Sequence, residues 1–451
     1  MKKLCNILFS VLFCAAIASA GQEEREISLT VYNSNLGLVS EVRQLSLKKG
    51  TSEIKITDVP SQIDATSVFF QSLSDPDRVA VLEQNYQYDL VGASKLLERY
   101  IDQNIKAYGA GGKVYEGKLL AHDGAGIVLN TGSNIITLRL TDNLQNFEFP
   151  NLPQGLITRP TLLWLVDNQG PVSQKCRISY LTAGISWHAE YVALLAADEK
   201  TLELGAWVSL ENNSGASFKQ ARLKLVAGDI NRAQAPQRRY AAAKADFQSA
   251  SPQFEEERFF EYHLYTLQRK ATVANNEVKQ ISLFPNTKTD SKKLFTYDGA
   301  SSGKKVAVQL EFKNEKGSGL GMPLPAGKIR VYKKDEGQSQ QFVGEDRIDH
   351  TPKDEKVRIT LGSAFDIVGE RTPKEYKRIS DRTQEQTVEV KLRNHKNEGV
   401  EIIVVEHLSG DWEIKSKTHE FKKRDAQTVE FRVPVAKDGE TVLSYTVRYK
   451  W

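Results

Sequence analysis

The sequence predicts a mainly β protein, made of several β-sandwich or meander domains with a small inserted β-barrel and one short helix. Three observations predict it. Apolar residues alternate with polar ones at period two along most of the chain, the spacing of half-buried strands. Gly, Asn, Asp and Pro interrupt that alternation at short intervals, as turns between strands require. Only one stretch, near residues 94–108, carries apolar residues at helical spacing.

The chain begins with three parts in the order of a secretory signal. Lys2 and Lys3 are followed by an apolar stretch over residues 7–17 and by Ala18-Ser19-Ala20, so cleavage is expected before Gly21. The apolar run is shorter than the about 20 residues a membrane-spanning helix needs. Cys14 follows Phe13, not the small residue that precedes a lipidated cysteine. No later stretch reads as a transmembrane helix.

Removing Lys2 and Lys3 lowers the formal net charge from +4 to +2. A chain this close to neutral offers nucleic acid no electrostatic footprint, and anionic membranes little attraction. Of the three cysteines, Cys5 and Cys14 lie in the signal. The remaining Cys176 therefore has no internal disulfide partner. It alternates with Ile178 and Tyr180, which reads as a small buried core residue and not as a nucleophile.

Residues 21–111 read as an N-terminal β-meander domain. Ile27, Leu29 and Val31 alternate before the turn at residues 33–37; Leu45 and Leu47 precede Lys49-Gly50; Ile54 and Ile56 precede Val59-Pro60. The helix predicted over 94–108 is capped by Ser94, ended by Gly109, and striped by Leu96, Leu97, Tyr100, Ile101 and Ile105. Residues 112–149 read as a self-contained small β-barrel inserted into that domain. Its short strands carry Val114, Leu119, Leu120, Ile127, Leu129, Ile135, Ile136, Leu138 and Leu140.

A central β domain is expected in two parts, 150–232 and 258–384. Between them, residues 233–257 hold almost no large aliphatic side chains and read as a flexible insertion. The insertion ends in Glu255-Glu-Glu257, expected to be a solvated patch. From 385 to 451, five alternating runs with no helix between them predict an immunoglobulin-like β-sandwich. The last run ends Leu443-x-Tyr445-x-Val447-x-Tyr449-x-Trp451. Outer-membrane barrels also end in this way, so a barrel is a competing reading. It lacks support from lipid-facing bands with aromatic girdles in the other strands.

Three stretches carry a family resemblance. They are Arg159-Pro-Thr-Leu162 leading into Tyr180-Leu-Thr-Ala-Gly-Ile-Ser-Trp-His-Ala-Glu-Tyr191; Glu261-Tyr-His-Leu-Tyr-Thr-Leu267 with Lys279-Gln-Ile-Ser-Leu283; and Leu324-Pro-Ala-Gly-Lys-Ile-Arg-Val-Tyr332 with Phe342-Val-Gly-Glu345. With these, the chain from about residue 160 onward resembles the mucoidy-inhibitor-like family, whose C-terminal β-rich domain has no known function. Many members carry long coiled-coil helices near the N-terminus, so this chain resembles a shorter branch. The resemblance implies a β-rich fold and supplies no catalytic residues.

No arrangement of residues rises to a catalytic, cofactor or metal signature; cofactors are expected to be none. Ser186, His188 and Glu190 share one strand face. Residues two apart on a strand project in parallel, however, whereas a catalytic triad needs convergent side chains. Glu261, His263 and Tyr265 alternate in the same way, and His263 lacks a second ligand at metal-binding spacing. Gly109-Ala-Gly-Gly112 with Lys113 follows the predicted helix instead of opening one, so it reads as a helix stop and not as a phosphate loop. The function expected is that of an exported bacterial envelope protein, in the periplasm or cell envelope. It binds or assembles with an envelope protein or polysaccharide and is not an enzyme. An envelope hydrolase acting on glycan or peptide is the alternative.

Overall fold

Alternation in the sequence becomes alternation in burial. Strand Thr161–Asn168 sends Leu162, Trp164 and Val166 into the interior, while Leu163 and Leu165 stay partly exposed. Successive side chains of a strand point to opposite faces, so one phase of the pattern selects the core. The computed structural model describes residues 25–139, 144–228, 254–259 and 262–450. Residues 1–24, which include the segment expected to be a signal, and Trp451 lie outside them. The fold is mainly β with one α-helix, and it divides into two units: Met1–Ser28 with Val39–Leu181, and Leu29–Leu38 with Thr182–Trp451.

In the first unit, Thr161–Asn168 is the middle of a three-stranded antiparallel sheet between Gly50–Ile56 and Val79–Gln87. The Trp164 indole N–H donates to Gln84 Oε1 at 2.9 Å, which satisfies the polar atom of an otherwise buried ring. Strand Ser173–Thr182 pairs with Phe69–Ser72 and sets Cys176 opposite Ser72. Cys176 is buried, and burial pushes its thiol up to about 11.

The same unit buries a charged cluster. Glu41 is fully buried; it pairs with both Arg25 and Arg43 and accepts from the Tyr180 hydroxyl at 2.8 Å. Asp58 joins both arginines at the rim. A buried carboxylate is tolerated only when paired and hydrogen-bonded in this way.

Two elements differ from expectation. The helix spans Ala93–Arg99, with Gly92 at its N-cap in place of Ser94, and it does not reach residue 108. Asp102 turns the chain with φ of 67°, and Asn104–Gly109 is a strand that buries Ile105 and Ala107 alternately. Only Leu97 and Tyr100 of the predicted stripe meet the core beside the helix; Ile101 is exposed. Gly111 and Gly112, both at positive φ, form the turn into strand Val114–His122, so these glycines join two strands and do not stop a helix.

The extra strand also changes the predicted barrel over 112–149. Asn104–Gly109 pairs with Val114–His122 on one side and Leu144–Glu148 on the other, and Gly126–Asn130 and Ile135–Arg139 continue the sheet. The result is an open five-stranded antiparallel sheet, and no pairing among the described residues closes it. Its core is Leu97, Tyr100, Ile105, Ala107, Leu119, Ile127 and Leu129. Val114 and Ile135 lie at the surface.

In the second unit, Ile185–Leu195 sits between Thr201–Asn212, antiparallel, and Gly327–Lys334, parallel. Gln340–Ile348 flanks Gly327–Lys334. The long strand Glu277–Asp298 pairs first with Thr201–Asn212 and then, from Ser291, with Lys305–Lys313. Of the predicted insertion, residues 233–253 lie outside the described residues. Its end is only partly the solvated run expected, since Glu257 is exposed but Glu256 is not. Phe254–Phe259 is a strand paired with Tyr262–Leu267; Phe254 is buried, and Glu256 is mostly buried against His263.

The C-terminal strands share one core. Thr383–Asn394, Gly439–Lys450 and Asp411–Lys417 pair in that order, and Val400–His407 pairs with Thr428–Val435. Their inward residues include Val388, Val404, Phe431, Leu443, Tyr445 and Val447, joined by Phe295, Tyr297, Val306 and Ile367 from upstream. The terminal strand thus faces a protein core. Among the described residues no sheet closes into a barrel, and no helix is long and apolar enough to cross a membrane.

Candidate functional site

Strand Ile185–Leu195 has one apolar face and one polar face, and the apolar face fixes where the polar one stands. Trp187, Ala189, Tyr191 and Ala193 are buried. The Trp187 indole N–H donates to the Val226 carbonyl at 3.1 Å, and the Tyr191 hydroxyl donates to the Pro325 carbonyl at 2.7 Å. Tyr265 packs near Trp187 with ring centroids 6.1 Å apart and donates to the Pro323 carbonyl at 3.1 Å. Burial raises the Tyr191 and Tyr265 phenols well above their usual value, so both act as neutral donors.

The opposite face carries Ser186, His188, Glu190 and Val192. His188 Nε2 lies 3.1 Å from Glu190 Oε1. Glu190 also pairs with Arg330 of the parallel strand, and Arg330 Nε lies 3.3 Å from Glu345 Oε2. Lys328 lies 3.6 Å from the other oxygen of Glu345. Three strands therefore contribute one connected row of charges. Such a network holds side chains in place more than it adds stability, since exposed pairs are worth about 0–1 kcal/mol each.

Trp207 stands at the centre of this face. It is 43% exposed, although its chain neighbours Ala206 and Val208 are buried. In register it lies between Glu190 on one side and Ser282 on the other. Two residues along, Ser209 lies between His188 and Gln280 in the same register. In the other direction, Gly205 lacks a side chain, and a Cβ there would come within 2.2 Å of Asn286 Oδ1. The indole is thus bordered by small or hydrogen-bonding groups, with Val192 also exposed on the face. An ordered sheet presents a flat aromatic surface rimmed by fixed donors and acceptors, the composition of a binding platform.

Ser186, His188 and Glu190 do share this face, but the structure does not assemble them into a triad. His188 is committed to Glu190, and among the described residues no hydrogen bond joins Ser186 to His188. His263 Nδ1 lies 2.7 Å from Glu256 Oε1, within a different strand pair; Glu261 lies outside the described residues. His407 forms a third separate pair with Asp298 at 3.0 Å. Among the described residues no three His, Cys, Asp or Glu side chains are grouped to hold a metal ion.

Sequence reasoning missed Trp207, Arg330 and Glu345. Trp207 was detectable as an aromatic on the polar phase of its strand, between two buried apolar residues. Arg330 and Glu345 reach the site only through long-range strand pairing. With this geometry in hand, comparison with known families shows that residues 176–451 match the model described as a domain of unknown function, DUF4139. The match includes the whole polar face. Comparison with curated proteins finds no match.

Proposed function

The chain belongs to the DUF4139 family, and from the polar face inside the matched region we propose that it is an exported, non-enzymatic binding or assembly protein of the bacterial cell envelope. The single observation that carries this reading is Trp207, half-exposed in the middle of an ordered strand and bordered by Glu190 and Ser282. Burying an aromatic ring of this size against a partner is among the largest single contributions a surface residue can make, and Trp and Arg dominate such contacts. Arg330 is held beside the platform by Glu190 and Glu345. The partner is an envelope protein or polysaccharide that offers a flat apolar group to the indole and polar groups to its rim.

Export rests on the signal sequence ending at Ala20, with Gly21 as the first mature residue. The motif resemblance to mucoidy-inhibitor-like chains, in a short branch without the coiled-coil region, belongs to this same reading. The His188–Glu190 pair supports binding over hydrolysis, because among the described residues no hydrogen bond joins it to Ser186 on the same face.

The test compares native complexes in envelope extracts. Wild type and Trp207→Ala, each shown to be folded by circular dichroism, are sized by native electrophoresis. Loss of a wild-type complex in the variant is the expected result; an identical complex in both contradicts the role of this face. Intact mass of the envelope-purified protein checks export, and a species that retains Met1 contradicts it.

A further inference from the structure

A second feature of the same unit shares no residue with the Trp207 face. A cleft of about 640 Å³ is lined by strands Glu277–Asp298, Lys305–Lys313 and Lys356–Ser380 together with the segment around Phe421 and strand Thr428–Val435. That volume falls in the range of small-molecule sites, about 300–1,000 Å³. Leu294 and Phe421 give it apolar lining, and Leu294 is itself buried against Ile403 and Val405.

Its charge is not balanced. Five cations line it (Lys292, Lys356, Arg358, Lys422 and Arg432) against Glu311, Glu420 and Glu430. Each acid is matched. Glu311 accepts from Lys356 at 2.9 Å and from Arg358 at 2.7 Å and 3.1 Å. Glu420 pairs with Lys417 and Glu430 with Arg424, both cations from outside the lining. Arg432 in turn is held by Glu401 at 2.7 Å. What remains is Lys292 on one long strand and Lys422 on the short strand Phe421–Lys423. They stand opposite Glu311 and Glu430 in register, but those acids are paired with other cations, and among the described residues neither ammonium group forms an ion pair of its own.

We propose that this cleft binds a ligand carrying phosphate groups, with Lys292 and Lys422 as its cationic contacts. A cleft lined by excess charge of one sign concentrates the opposite ion. The pairing pattern selects phosphate over carboxylate. A planar carboxylate is best clamped by a guanidinium fork, and Arg358 already spends Nε and Nη2 on Glu311. Free ammonium groups are point charges that reach the tetrahedrally arranged oxygens of phosphate from different directions. Phe421 places an apolar surface beside them, so the ligand has a non-phosphate portion to cover it.

The test uses the full mature chain and two probes that share this chemistry: inorganic tripolyphosphate, followed by calorimetry, and phosphatidylglycerol–phosphatidylcholine vesicles, followed by flotation. Wild type is expected to bind at least one probe, which identifies a free phosphate compound or a lipid headgroup as the source. The double variant Lys292→Gln/Lys422→Gln is expected to bind that probe at least about tenfold more weakly, the loss that follows from removing two charge-assisted contacts. Lys48→Gln/Lys49→Gln removes the same net charge elsewhere and is expected to bind as wild type does. Binding of neither probe, or an equal loss in both double variants, overturns the proposal.

Discussion

Replacing Tyr445 by Phe removes one buried hydroxyl, which bonds Glu406 and meets Arg371, without disturbing the packing around the ring. The ring of Tyr445 stacks on Phe431 with centroids 5.3 Å apart, and Phe preserves that contact. The hydroxyl donates to Glu406 Oε2 at 2.5 Å, and Glu406 is only 2% exposed. Arg371 Nε also donates to both Glu406 oxygens, at 3.1 Å and 3.0 Å. Losing one hydrogen bond to a buried charge costs about 1.5–3 kcal/mol. Because Arg371 remains, the cost stays below the about 3–5 kcal/mol of orphaning a buried ion.

Amide hydrogen exchange reads the loss locally, since it reports the opening free energy of each cooperative region. Protection in Thr428–Val435 and Gly439–Lys450 is expected to fall by that amount, while Val114–His122 is unchanged. A change under about 0.5 kcal/mol, the size of an ordinary surface substitution, refutes the reasoning. The variant also has an alkaline signature. Burial first, then Glu406, raises the Tyr445 phenol well above 10.0. Its contribution is therefore fully present below pH 10 and lost as pH climbs above it, and Tyr445→Phe should weaken that alkaline loss.

Cys176 is expected to resist alkylation in the folded protein at neutral pH and to react fully in denaturant, because burial keeps its thiol protonated near 11; rapid labelling of folded protein, read by mass, contradicts its placement. Asp58 is pushed up by burial but pulled further down by Arg25 and Arg43, so its carboxyl lies below the usual 3.8. Its contribution is present above pH 3.8 and lost as pH falls through the depressed value. Asp58→Asn should flatten the acid limb of the stability profile for strands near Gly50–Ile56; an unchanged limb, measured by acid titration with exchange, counts against the network.

Strands were legible wherever one face is wet and one is dry, since the alternation is then written in every second residue. The five C-terminal runs and the terminal Leu443, Tyr445 and Val447 were read this way, and they fill a single core. The 94–108 segment misled because Leu97, Tyr100 and Ile105 fit a helical stripe as well as they fit a short helix followed by a strand. Pairing with Val114–His122 and Leu144–Glu148 decided for the strand, and no local signal reports such pairing. The same added strand opened the expected barrel into a sheet.

The polar face of Ile185–Leu195 was legible, as was the parallel projection that argues against a triad there. Its partners were not. Arg330 and Glu345 stand more than a hundred residues away, and Trp207 meets Glu190 only through register. Likewise the unmatched charge of Lys292 and Lys422 emerges only after the ion pairs of the neighbouring acids are known.

The most direct test of the account places a photo-crosslinking amino acid at Trp207 in the living cell, with a second copy of the experiment at exposed Lys415 in the C-terminal strands as the control. Position 207 is expected to capture one defined envelope component, and the adduct is expected to disappear when Arg330→Glu reverses the charge beside Trp207. No such adduct is expected from Lys415. The same products from both positions, or none from Trp207 while the protein is folded and exported, would contradict the claim that this face is where the protein binds.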